Sequence, residues 1–137
     1  MIKKLILALI LLTVNLLSAQ TDSLVGDENT DLVAINALLR EAGKHLGTHY
    51  RGGGKTPAGF DCSGFIGYLF KKEAGMQLPR STRDMINIDA PLVSRDELEP
   101  GDLLFFSTNG RNRVSHAGIY MGDNQFIHSS SSRSGGV

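Results

Sequence analysis

The stretch Phe60-Asp61-Cys62-Ser63-Gly64-Phe65-Ile66-Gly67-Tyr68-Leu69-Phe70 changes character at Cys62. From there Phe65, Ile66, Leu69 and Phe70 fall at helical spacing and Gly75 marks an end, so Cys62 is expected at or just inside a helix N-terminus. A thiol is a poor nucleophile at its free pKa of about 8.5, and the oriented N–H groups of a helix start or a nearby imidazole make it a better one by stabilising the thiolate. The same N–H groups can face the oxygen of a tetrahedral intermediate. The chain has a single cysteine, which excludes an intramolecular disulfide. Most lone cysteines are small buried hydrophobes, but the polar neighbours Asp61 and Ser63 argue against that here.

Upstream of this stretch, Gly47-Thr48-His49-Tyr50-Arg51-Gly52-Gly53-Gly54, with Pro57 and Gly59 after it, is too rich in glycine for regular structure. It reads as a loop whose backbone lies close to the site. Before it, Leu32, Ile35, Leu39, Ala42 and Leu46 recur at helical spacing with Leu38 beside them, between a Thr30 or Asp31 cap and a Gly47 stop. Downstream, Ser81 and Asp84 form an N-terminal capping pair for a short helix over 81–87. Beyond Pro100-Gly101 the pattern changes to strands over 103–107, 114–121 and 125–129, joined by turns at Asn109-Gly110 and Gly122-Asp123-Asn124. Helices first and an antiparallel meander second is an α+β layout.

His116 and His128 fall on consecutive strands of that meander. If the turn centres on Asp123, Gly118 faces His128 and His116 is its diagonal neighbour on the same face, near enough for two imidazoles to meet. His116 can then take the thiol proton while His128 holds its tautomer and orientation. A slip of one residue would put the two on opposite faces. Cys62, His116 and His128 as three zinc ligands is the alternative, although no closely spaced Cys or His pair supports it. His45 and His49 read as ordinary hydrogen-bonded or solvated residues. Gly54-Lys55-Thr56 is no phosphate loop, because His49 stands where the motif needs glycine.

The chain has 137 residues, enough for one domain with one core. Lys3-Lys4 followed by an apolar run from Leu5 to Leu17 and a small-residue site ending at Ala19 is the layout of a secretory signal peptide over 1–19. A lipoprotein signal would put cysteine where Gln20 stands. Residues 20–29 read as a polar leader and 30–137 as the catalytic domain. Without Lys3 and Lys4, 12 basic residues face 14 acidic ones, which gives no electrostatic case for nucleic acid. The product is expected to be exported, periplasmic or extracellular, with no stable membrane insertion after signal cleavage, and to be a monomer.

Taken in order, Gly47-Thr48-His49-Tyr50-Arg51-Gly52-Gly53, Asp61-Cys62-Ser63-Gly64-Phe65, Leu78-Pro79-Arg80-Ser81, Pro100-Gly101-Asp102-Leu103, Ser115-His116-Ala117-Gly118-Ile119-Tyr120 and Phe126-Ile127-His128 resemble the NlpC/P60 family of cell-wall cysteine peptidases. The resemblance covers about 31–137. It implies a papain-like fold, a Cys62-His116-His128 triad needing no cofactor or metal, and hydrolysis of the γ-D-glutamyl to diaminopimelate bond of peptidoglycan stem peptides. By the same resemblance Tyr50 helps polarise the scissile carbonyl, while Asp61 and Ser63 contact the substrate's N-terminal end, where a carboxylate suits an ammonium. Helix capping is the competing role for both. Domains of the family run on past a Gly-Gly-Val such as 135–137, so the sheet is expected to lack a C-terminal strand. A catalytically silent peptidoglycan-binding protein, or an amidase or acyltransferase on the same scaffold, are the alternative readings.

Overall fold

In the computed structural model, which describes residues 1–3, 24–132 and 135–137, the apolar spacing produces two packed helices, α1 (Leu24–Lys44) and α2 (Cys62–Ala74). On α2 all four stripe residues, Phe65, Ile66, Leu69 and Phe70, are fully buried, each worth roughly 1.5–3 kcal/mol of apolar transfer. Asp61 caps its start and Gly75, in the left-handed conformation, closes its end.

Helix α1 contributes less than its spacing suggests. Leu38 and Ala42 are buried against α2, but Leu32 and Leu46 are 56% and 67% exposed. The helix also begins at Leu24 rather than near Thr30, so the stretch expected to be a leader is helical over its last residues. Of the expected signal segment over 1–19, residues 1–3 are described and residues 4–19 lie outside the described residues. Among the described residues no helix is long and apolar enough to cross a membrane.

The short helix is α3 (Thr82–Met85), capped by Ser81 as its sequence indicates. One antiparallel sheet follows the order β1 (Ile2–Lys3), β4 (Leu103–Phe106), β5 (His116–Gly122), β6 (Gln125–Ile127). Leu103, Phe105, Ala117, Ile119 and Ile127 close the core beneath the helices. A separate two-stranded ribbon, β2 (Lys55–Thr56) and β3 (Gly59–Phe60), leads into α2. The segment 135–137 returns to the glycine loop, where the Tyr50 N–H donates to Gly135 O and the Val137 N–H to Thr48 O. These bonds fix the loop that carries Tyr50.

Glu41 joins α1 to α2 from a buried position, accepting from Lys72 Nζ at 2.6 Å and Lys44 Nζ at 3.0 Å. Those two ammonium groups hold its carboxyl down from 4.5 to about 2. A depressed carboxyl stabilises the fold fully above its ordinary value and progressively less as pH falls toward the folded value. Glu41→Gln therefore flattens the fall of Tm between pH 4.5 and 2.5, read by thermal melts across that range. His45, expected to be an ordinary polar residue, reaches Glu41 at 3.3 Å and packs edge-on against Phe60, Phe65 and Tyr68.

Candidate active site

Cys62 is the first residue of α2, and Asp61 immediately before it accepts the Gly64 N–H at 2.7 Å. This puts the thiol beside the unsatisfied N–H groups of the helix start. Backbone N–H groups of Ala117 and Ser63 lower its pKa, yet burial outweighs them, and the Asp61 carboxylate adds to the rise. The thiol is thus pushed above its ordinary value. In the absence of substrate, alkylation of Cys62 should be slow at neutral pH and should climb only as pH passes the ordinary thiol range. A fast plateau from pH 4 to 8, measured with iodoacetamide, would indicate a preformed thiolate instead.

The histidine pair forms because the hairpin register is the one the sequence suggested. Ile119 pairs with Ile127 and Tyr120 with Phe126, which aligns Gly118 with His128. The turn itself has two residues, Asp123 and Asn124, both with positive φ, and a bulge between Tyr120 and Gly122 absorbs the extra residue. His116 Nε2 and His128 Nδ1 lie 2.6 Å apart. A Cβ on Gly118 would meet Phe126 Cδ2 at 2.7 Å and His128 Cβ at 3.3 Å, so only glycine leaves room for this arrangement.

Phe106 and Phe126 form an apolar wall around the pair, with the Phe126 and His128 ring centres 4.9 Å apart. Burial lowers the pKa of both imidazoles, and the neighbouring His128 lowers His116 further. Both rings are therefore neutral at pH 7, and His116 is available as a base. If Nε2 of His116 donates to His128 Nδ1, its Nδ1 is the free acceptor.

Tyr50, Cys62, His116 and His128 line one cleft of about 530 Å³, together with Ser107, Thr108 and Ser130. Burial raises the Tyr50 pKa, and the charges of Asp61 and ionised Cys62 raise it further, so its hydroxyl stays a donor. The loop carrying Tyr50 presses on α2 at a point where no side chain fits: a Cβ on Gly64 would overlap the Gly54 carbonyl oxygen. Gly64→Ala should cost about 1–3 kcal/mol of unfolding free energy by denaturant titration, as overpacking does. Gly67→Ala, with open space at its Cβ, should cost nothing.

Asp61 and Ser63 are drawn away from the cleft into a different network. Arg80 donates through Nη1 to Asp61 Oδ1 at 3.0 Å and through Nη2 to Oδ2 at 2.8 Å, and Nη1 also reaches Ser63 Oγ at 2.8 Å. The Gly53 N–H, at 3.0 Å, the Gly64 N–H and the Ser63 hydroxyl, at 3.3 Å, also donate to the carboxylate. Burial alone would raise the Asp61 pKa, but the guanidinium and the two amides hold it below its usual value. The carboxylate expected to meet a substrate ammonium is already neutralised by Arg80. Reasoning from the sequence assigned Arg80 no role, although it stands in the Leu78-Pro79-Arg80-Ser81 motif; a guanidinium opposite a carboxylate 19 residues away leaves no periodic signal. Among the described residues no group of three or more His, Cys, Asp and Glu side chains is arranged to hold a metal ion.

Known proteins share this arrangement of sequence and fold. The chain is 42% identical over 99 residues to the murein DD-endopeptidase MepH of Escherichia coli, covering 71% of this chain and 35% of that protein. It is 41% identical over 96 residues to the gamma-DL-glutamyl hydrolase of Bacillus subtilis, covering 69% of this chain and 23% of that one. It thus spans about a third or less of the length of these two relatives. The crystal structure of the NlpC/p60 domain of the peptidoglycan hydrolase SagA superimposes with a TM-score of 0.62 at 35% identity, over 70% of this chain and 80% of that domain. Residues 47–137, which hold Tyr50, Cys62, His116 and His128, match the NlpC/P60 family itself, and the chain belongs to that family.

Proposed function

We propose that this chain is an exported cysteine endopeptidase that hydrolyses peptidoglycan stem peptides at the γ-D-glutamyl to diaminopimelate bond. The observation that carries the reading is the 2.6 Å His116–His128 contact in the same cleft as Cys62 at a helix start. The Cys62 sulfur attacks the scissile carbonyl as its proton passes to Nδ1 of His116. Backbone N–H groups at the start of α2 and the Tyr50 hydroxyl stabilise the oxyanion. His116 then gives the proton to the leaving amine, and water attacks the thioester to release the acid and restore the thiol. His128 accepts from Nε2 of His116 throughout and steadies the imidazolium. Lys3-Lys4 ahead of the apolar run to Leu17 supports export, with the mature chain a monomer beginning near Gln20.

A second bond is favoured by the likeness to a murein DD-endopeptidase: the D-alanyl to diaminopimelate cross-link. One digestion separates the two. The chain is incubated with a monomeric tetrapeptide stem and with a cross-linked dimer, and the products are weighed by mass spectrometry. Cleavage of the monomer between D-glutamate and diaminopimelate supports the γ-D-glutamyl assignment. Conversion of dimer to intact monomers, with the monomer left whole, supports the cross-link instead.

A further inference from the structure

Beside the cleft, on the other side of Ser63, runs a second and larger groove of about 730 Å³. Its walls are the β2 ribbon, one face of α2 and the segment leading to Arg80. Four cations line it, Lys55, Lys71, Lys72 and Arg80, and no carboxylate side chain does. Two of the four are spoken for, Lys72 by Glu41 and Arg80 by Asp61. Lys55 and Lys71 are exposed and have no ion-pair partner among the described residues, so the groove carries uncompensated positive charge. The floor at Gly67 is bare, with open space where a side chain would stand. Arg80 sits where groove and cleft meet, bonded to Ser63 next to the nucleophile.

We propose that this groove seats a carboxylate-bearing arm of the peptide substrate, with Lys55 and Lys71 reading its carboxylates and Arg80 closing the end nearest Cys62. The inference rests on the peptidase reading above and adds to it a preference by charge. With Asp61 bound by Arg80, the surface offered beyond Ser63 is cationic, so it favours a free carboxylate and gains nothing from an ammonium. A groove lined by one sign of charge concentrates the opposite charge along it. An arm whose carboxylates are amidated offers no charge to these lysines.

The test compares two synthetic stem peptides differing only in whether their side-arm carboxylates are free or amidated, using the full chain and two variants. Lys55→Glu with Lys71→Glu reverses the charge at exposed positions, and Gly67→Gln puts a side chain on the floor at a helical position where a Cβ meets open space. The wild-type chain should prefer the free-acid peptide about 10-fold or more in kcat/KM, through KM, and the preference should shrink in 0.5 M salt. The double reversal should bring the ratio to about one or below, and Gly67→Gln should raise KM for the free-acid peptide several-fold. The rate of Cys62 alkylation in each variant reports whether the cleft is intact. If both peptides are cut alike by wild type and double variant, the groove assignment is overturned while the peptidase reading stands. If neither is cut by the wild-type chain, both are overturned.

Discussion

Cys62→Ala should abolish release of stem-peptide fragments, with a loss on the order of 10⁴- to 10⁶-fold in kcat, while the variant melts close to wild type. Removing a covalent nucleophile forces the reaction through direct attack by water, and what survives is the contribution of binding and oxyanion stabilisation. The fold should survive because the cap of α2 comes from Asp61 and its anchoring from Phe65, Ile66, Leu69 and Phe70, none of which the substitution touches. Cys62→Ser should be nearly as inactive, since a hydroxyl in the same place is far harder to deprotonate. A variant that kept more than a few per cent of the wild-type rate would place the chemistry elsewhere.

The histidine pair should divide unequally. His116→Ala removes the proposed base from the cleft that holds the thiol, and because the thiol is pushed up rather than down by its surroundings, little thiolate exists to act without it. A loss comparable to that of Cys62→Ala is expected. His128→Ala leaves the base but frees its ring, and should cost about 10²- to 10⁴-fold. His128→Asn, which keeps an acceptor for Nε2 of His116, should recover part of that loss. A role for His128 in packing alone would be marked by equal losses for the two variants. The acid limb of kcat/KM should lie below the ordinary histidine value of about 6.5, since burial disfavours the protonated form of both rings.

Much of this was legible in the chain. The start of α2 could be read from the change at Cys62 because apolar periodicity and a polar cap agree there. The His116–His128 pairing followed from strand parity, and it survived a bulge at the turn only because the two-residue loop and the inserted residue shift the register in compensating directions. Helix α1 was less legible: Leu32 has the right spacing but faces solvent, and Leu46 lies past the end of the helix at Lys44, because spacing does not reveal how wide the partner is or where the last turn stops. The pairing of 135–137 with the glycine loop depends on backbone bonds between segments about 87 residues apart, which no local pattern encodes. Arg80 is the clearest omission. Its bidentate grip on Asp61 decides what charge the surface beyond Ser63 presents, and it arises from the path of the chain after α2 rather than from any repeat in the sequence.

The most direct test is digestion of purified peptidoglycan by the full chain, the Cys62→Ala variant and the full chain treated with a chelator, with soluble products identified by mass spectrometry. Thiol-dependent release of stem-peptide fragments by the untreated and chelator-treated chains, absent from the variant, is the predicted result. Equal release by the variant, or release abolished by the chelator, would contradict a Cys62-His116-His128 peptidase.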